Sequence, residues 1–113
     1  MEKLWHQDLA SGRWHTFSIA EQLGNVGSEV ERAIKWGERG DKEHREQALC
    51  RMFELMNLTI SDPRWRHLRR LRELTRAREI LTDFFYGDNT YHSTADDLKK
   101  YFYYFALDAR KGK

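Results

Sequence analysis

The sequence predicts an all-α protein, an antiparallel up-down four-helix bundle preceded by a short N-terminal hairpin or arm. In four segments, apolar residues recur at steps of three and four. Helix-start signals precede these segments, and glycine or polar residues separate them. Four amphipathic helices with short connections bury their apolar faces most simply when neighbouring helices run in opposite directions.

The composition fits one folded domain of a cytoplasmic protein. The 113 residues are 40% hydrophobic and 34% charged, with a single proline and a net charge of +2. No apolar run approaches the roughly 20 residues that span a bilayer, and the first residues lack the apolar core of a signal peptide. Cys50 is the single cysteine, which excludes an internal disulfide and a cysteine metal cluster.

Residues 1–17 are expected to form an N-terminal arm or small hairpin. Two short aromatic segments flank Ser11 and Gly12, where a tight turn would produce a hairpin. An isolated two-stranded hairpin is only marginally stable in water, so Trp5 and Trp14 would have to pack on the rest of the protein. An irregular arm that is docked by these tryptophans is the alternative.

The first helix is predicted over about 18–37. Ser18 and Glu21 form a capping box, in which each side chain accepts a hydrogen bond from a backbone N–H at the helix start. Gly37 and Gly40 mark its end. Its apolar face consists of Ile19, Leu23, Val26, Val30, Ala33 and Ile34.

The second and third helices are predicted over about 41–60 and 63–86. Asp41 caps the second helix, and Asp62 with Pro63 is a strong start signal for the third. The second helix buries Ala48, Leu49, Met52, Phe53 and Met56, and the third carries Leu71, Leu74, Thr75, Leu81, Thr82 and Phe85 on one face.

The fourth helix is predicted over about 94–109 and completes a bundle that spans residues 18–110. Ser93 or Thr94 is its N-cap, and acidic residues in the first turn suit the positive end of the helix dipole. Its core-facing stripe consists of Leu98, Tyr101, Phe102, Phe105 and Ala109.

A second apolar strip on the fourth helix predicts a binding surface. Tyr103, Tyr104 and Leu107 fall opposite or beside the core-facing stripe. Tyrosine is common in interfaces because it is large, stiff and half polar. We therefore expect a homodimer or a protein partner at this strip; the alternative is that these residues cover the Trp5 and Trp14 arm of their own subunit.

The third helix carries the densest charge in the chain. Seven arginines and one glutamate lie between Arg64 and Arg78. Arginine suits organised contacts with carboxylates, phosphates and aromatic faces. The arginines that point away from the apolar face are interleaved with acidic residues, so they form either a solvated surface or a second contact region for a protein or nucleic acid. They are Arg66, Arg69, Arg72 and Arg76.

Arg78 lies within the apolar face of the third helix, where a guanidinium requires a partner. Glu29, on the flank of the first helix, is the expected one. Together with Asn25 and Thr82 the pair would form a buried polar seam between helices one and three. The seam is either a structural pair that fixes helix register or part of a ligand pocket.

The motifs of common catalytic sites are missing from the sequence. It contains no HExxH, no glycine-rich phosphate loop and no GxSxG. We therefore expect no metal and no cofactor, and the sequence favours a non-enzymatic interaction module.

The chain resembles the HEPN superfamily of small four-helix-bundle proteins over roughly residues 18–110. Active members cut RNA with an Arg-x4-6-His motif, and Arg39-Gly-Asp-Lys-Glu-His44 matches that pattern. The resemblance implies a homodimer that binds RNA or a nucleotidyltransferase partner. It also implies Arg39 and His44 as the acid-base residues of a metal-independent ribonuclease.

Overall fold

The structure, a computed structural model, describes residues 12–111 and is all-helical over that range. Its four main helices are α1 (Ile19–Glu38), α2 (Lys42–Ile60), α3 (Leu68–Tyr86) and α4 (Ala95–Lys111). Short 3₁₀ helices at Arg13–Thr16 and Pro63–Trp65 precede α1 and α3. The predicted four-helix bundle is confirmed.

Helix α1 is the central helix, because it packs along both α2 and α4. The capping box is present: the Ser18 hydroxyl accepts from the Glu21 N–H at 3.1 Å, and the Glu21 carboxylate accepts from the Ser18 N–H at 3.0 Å. Its core residues with no exposed surface are Leu23, Val26, Val30 and Ala33.

Two glycines let α4 approach α1 closely. A Cβ atom on Gly27 would lie 2.4 Å from the Cβ of Phe102, and one on Gly24 would lie 3.3 Å from the Cα of Ala106. Their missing side chains allow Phe102 to reach the core, where it is buried.

The described part of the N-terminal segment is not a strand. Arg13–Thr16 form a 3₁₀ helix, so the hairpin expectation is wrong there, whereas residues 1–11 lie outside the described residues. The Trp14 side chain is buried, and its Nε1 donates to the Thr59 hydroxyl at 3.0 Å. Burial of this indole against α2 anchors the segment to the bundle.

The third helix is interrupted near its predicted start. Asp62 caps only the 3₁₀ turn Pro63–Trp65, and α3 begins at Leu68. The Asp62 carboxylate is buried, and residues 66 and 67 separate the 3₁₀ turn from α3. The expectation of one continuous helix over 63–86 is therefore wrong.

Helix α3 packs mainly on α2. It buries Leu74, Ala77 and Leu81, while Thr75 and Thr82, which we expected on the apolar face, are exposed. Polar contacts strengthen the α2–α3 contact: the Tyr86 hydroxyl donates to Glu46 at 2.9 Å, and the Arg45 guanidinium donates to the Phe85 carbonyl at 3.2 Å. The buried face of α3 is thus rotated from the predicted one.

A polar loop joins α3 to α4. The Asp83 carboxylate accepts from the backbone N–H groups of Thr90 and Tyr91 at 2.8 and 3.0 Å. At the start of α4, the Thr94 hydroxyl accepts from the Asp97 N–H at 3.0 Å, and the Asp97 carboxylate accepts from the Thr94 N–H at 3.2 Å. Of the two candidate caps, Thr94 makes this reciprocal pair.

Candidate functional site

The outer face of α4 presents adjacent tyrosines to solvent. Tyr103 is 54% exposed and Tyr104 is 61% exposed, with their ring centroids 6.3 Å apart. Leu107, one helical turn further on, is half-buried. Large exposed side chains of this kind are typical of surfaces that bind another protein.

The inward face of α4 is already occupied. Leu98 and Phe102 are buried, and Phe105 is half-buried. Tyr101, which we expected in the core, is 38% exposed and instead packs edge-on against Phe102 and Phe105. Phe102 occupies the close α1–α4 contact at Gly27, and the neighbouring Tyr101 lies on the α3 side of α4.

The described part of the N-terminal segment packs on α2 through Trp14. Trp14 is buried; its indole donates to Thr59 near the end of α2, and its ring centroid lies 5.4 Å from that of Phe17 in its own segment. Trp5 lies outside the described residues. The packing of Trp14 on α2 and the exposure of Tyr103 and Tyr104 favour the binding surface over the alternative that α4 covers Trp14 within one subunit.

An apolar cleft of about 360 Å³ separates α3 from α4. Leu81 and Leu98 line its floor, and Arg76, Glu73 and Asp97 lie along its edge. The cleft exists because α3 packs mainly on α2 and α4 packs on α1, which leaves the seam between them incompletely filled.

The four outward arginines are all exposed, but they do not all belong to α3. Arg66 lies in the turn before the helix. The Arg76 guanidinium lies 6.0 Å from the Tyr91 ring centroid, within cation-π range. Within the same run, Arg70 pairs with Glu73 at 2.9 Å, so the charge of this surface is partly neutralised. Arg69 and Arg72 complete the exposed set.

The predicted polar seam between helices one and three is not formed. Glu29 is buried, yet its carboxylate accepts from Arg32 and Arg51 at 2.7 Å each. Arg78 is exposed and donates to the Asn57 side chain of α2 at 2.8 Å. Helices α1 and α3 make few direct contacts with each other, so Glu29 and Arg78 pair with other side chains.

Asn25 and Thr82, the other two residues of the predicted seam, are exposed. Asn25 donates to the Glu21 carbonyl at 2.7 Å, and Thr82 donates to the Arg78 carbonyl at 2.8 Å. Both bonds lie within a single helix, so neither residue links α1 to α3.

Arg39 and His44 both lie near Trp36 at the α1–α2 connection. The Arg39 guanidinium lies 5.4 Å from the Trp36 ring centroid, and the His44 ring stacks on the same indole at 4.6 Å. The His44 Nδ1 donates to the Asp41 carboxylate at 2.7 Å, because a carboxylate only accepts. The backbone N–H and imidazole of His44 hold the pKa of Asp41 below its usual value.

The sequence patterns missed a buried polar network at the other end of the bundle. Gln22 and Asp62 have no exposed surface. The Gln22 Nε2 donates to the Trp14 carbonyl at 2.9 Å and to Asp62 Oδ2 at 3.0 Å, while its Oε1 accepts from Trp65 Nε1 at 2.8 Å. The network joins the N-terminal segment, α1 and the turn before α3.

Arg64 closes this network. Its guanidinium donates to Asp62 Oδ2 and to the Phe17 carbonyl, each at 2.6 Å. Burial raises the pKa of Asp62, but the hydrogen bonds from Arg64 and Gln22 outweigh it and lower the pKa to about 2. The only sequence signal for this site was the Asp62-Pro63 cap, which does not reveal the distant partners.

Residues 12–111 include no helix whose length and hydropathy suit a bilayer span. Within the same range, no three His, Cys, Asp or Glu side chains are grouped in a way that would hold a metal. No protein family, curated protein or solved structure matches the chain.

Proposed function

We propose that this chain is a small cytoplasmic, non-enzymatic interaction module that forms a homodimer through the outer face of α4. The observation that carries the proposal is the pair of exposed tyrosines, Tyr103 and Tyr104, on a helix whose inward face is already buried. Residues that contribute neither to the core nor to a described polar network are available to a partner.

Side-chain chemistry supports a protein partner. Tyrosine buries a large apolar ring at low entropic cost and keeps a hydroxyl for hydrogen bonding, which is the behaviour of interface centres. Charged residues flank the tyrosines along the helix: Lys99 and Lys100 precede them, and Asp108 and Arg110 follow them. An apolar centre with a charged rim is the usual anatomy of an interface.

The cytoplasmic assignment is supported by the cysteine content. Cys50 is free and exposed, and no second cysteine is present in the sequence. An exposed thiol is compatible with a reducing compartment.

Sedimentation of the purified protein tests the homodimer. We expect the wild type to sediment at twice the chain mass at micromolar concentrations and Tyr103→Ala/Tyr104→Ala to sediment as a monomer. Alanine favours the helix, so circular dichroism should show an unchanged fold. Tyr91→Ala, which removes an exposed tyrosine from the α3–α4 loop, is the matched control and should remain dimeric. A monomeric wild type at 100 micromolar would contradict the proposal.

A second candidate function, an HEPN-like RNA-binding protein or metal-independent ribonuclease that works with a nucleotidyltransferase, is supported by one observation. Arg39 and His44 both lie against Trp36, and Asp41 holds the His44 Nδ1, so Nε2 can exchange a proton with a substrate. An exposed arginine beside a base-sized aromatic ring also suits single-stranded RNA.

RNA cleavage in the presence of a metal chelator tests this second candidate. If it is correct, the wild type cuts single-stranded RNA, His44→Ala abolishes cleavage, and binding weakens steeply with added salt. His67→Ala, an exposed histidine elsewhere, is the control. Equal rates of RNA cleavage by the wild type and His44→Ala would rule out this second candidate function.

A further inference from the structure

Along the outer face of α4, charged residues lie towards the two ends and apolar residues lie near the middle. At about 100° per residue, positions 96, 100, 103, 107 and 110 fall within an arc of roughly 80°. All of them are exposed except the half-buried Leu107. We call this series the outer stripe of α4, and it consists of Asp96, Lys100, Tyr103, Leu107 and Arg110.

The two ends of the outer stripe carry opposite charges. The first turn of α4 contains Asp96 and Asp97, and the last turn contains Arg110 and Lys111. Two copies that packed in parallel would place Asp96 beside Asp96 and Arg110 beside Arg110. Like charges placed opposite each other oppose association.

The geometry points to an antiparallel pair of α4 helices, one from each of two copies, related by a two-fold axis at Tyr103. Asp96 and Arg110 are each seven residues from Tyr103 in the sequence. When Tyr103 lies on the axis, Asp96 of each copy therefore faces Arg110 of the other, and both ion pairs form together. Tyr103 is also the central residue of α4 (Ala95–Lys111), so this register overlaps the helices over their whole length.

The same register accommodates Lys99 and Lys100. Lys99 falls opposite Leu107 of the other copy, where its methylene stem can cover apolar surface while the ammonium group reaches solvent. Lys100 is exposed at the edge of the stripe. A two-fold interface uses one patch twice and requires a self-complementary surface, which the outer stripe is. This inference rests on the proposed homodimer and specifies its second copy, axis and register.

Cysteine cross-linking tests the register. Cys50 is exposed and is first replaced in the background variant Cys50→Ser. Tyr103→Cys should then form a disulfide-linked dimer on mild oxidation, because position 103 meets itself at the axis. Asp96→Cys alone should not, since its two copies lie about 21 Å apart along the helix direction, whereas a disulfide spans at most about 7 Å between Cα atoms.

A mixture of Asp96→Cys and Arg110→Cys proteins should form the cross-linked heterodimer that neither forms alone. Self-linking of Asp96→Cys would indicate parallel helices and would overturn the inference. Absence of cross-linking at Tyr103→Cys in a protein that sediments as a dimer would also overturn it, while leaving the proposed homodimer intact. A wild type that sediments as a monomer would reject the homodimer and the register together.

Charge reversal supplies a second readout without oxidation. Asp96→Lys and Arg110→Asp should each weaken dimerisation roughly tenfold, because each places two pairs of like charges in contact. The double variant Asp96→Lys/Arg110→Asp again places opposite charges at the facing positions 96 and 110, so it should dimerise nearly as well as the wild type. A double variant that is weaker than both single variants would contradict the antiparallel register.

Discussion

Gln22 shows how a polar side chain can be buried on an apolar helix face without destabilising it. Its amide forms hydrogen bonds with Trp14, Asp62 and Trp65, which lie 8, 40 and 43 residues away in the sequence. A buried amide without these partners would cost several kcal/mol. Helical periodicity along α1 cannot reveal them, because they belong to other elements.

We expect Asp62→Asn to lower the free energy of unfolding by about 1–3 kcal/mol at pH 7, because Arg64 and Gln22 lose a charged acceptor. The folded-state pKa of Asp62, about 2, lies below the 3.8 of an unperturbed aspartate. The stability contributed by the ionised carboxylate is therefore complete above about pH 4 and is lost as the pH falls through about 2.

Urea unfolding of wild type and Asp62→Asn between pH 7 and 2 measures this difference. The gap between the two proteins should shrink on acidification. Asp88→Asn, at an exposed loop position, is the control and should unfold like the wild type. A gap that stays constant with pH would show that the charge on Asp62 does not stabilise the fold.

Among the helices, the ends of α1 are set by nearby residues, whereas the start of α3 depends on contacts with distant parts of the chain. The boundaries of α1 are set locally by the Ser18 capping box and by Gly40, which has a positive φ of 74°. The start of α3 is displaced from Pro63 to Leu68 because Asp62 and Arg64 are held in the buried network. A local cap predicts where a helical turn begins but not whether the turn continues.

Gly27→Ala should destabilise the protein by about 1–3 kcal/mol, since the new Cβ would lie 2.4 Å from Phe102 Cβ and force α1 and α4 apart. This loss exceeds the roughly 1 kcal/mol that alanine gains over glycine in a helix. Gly37→Ala is the matched control: its Cβ would meet only the flexible Arg45 side chain, at 3.4 Å, and it should stabilise by up to about 1 kcal/mol. Thermal unfolding of both variants checks the prediction, and equal effects would contradict it.

In the whole molecule, packing is uneven. Helix α1 is buried between α2 and α4, whereas α3 rests mainly on α2 and borders the 360 Å³ cleft. Elements with few buried apolar contacts open at lower free energy than the core. The α3 side is therefore the part of the described bundle that should open first.

Native-state hydrogen exchange should show this order. We expect the amides around Val26 and Val30 in α1 to exchange most slowly and those of α3 to exchange faster by at least tenfold, which corresponds to about 1.4 kcal/mol. Mass spectrometry of peptides from each helix measures the rates. Uniform protection across α1 and α3 would indicate that the bundle opens only as one unit.

The sequence by itself determined the helical class, the four main helices and the outward position of Tyr103 and Tyr104. These follow from periodicity and caps, which act within a few residues. Only the tertiary structure decided that Glu29 pairs with Arg51 rather than Arg78, that α3 starts late and that Gln22 and Asp62 are buried together. The physical reason is that partner choice depends on which helices are neighbours and how each is rotated, and those are set by the shape of the whole core, including the close approach at Gly27.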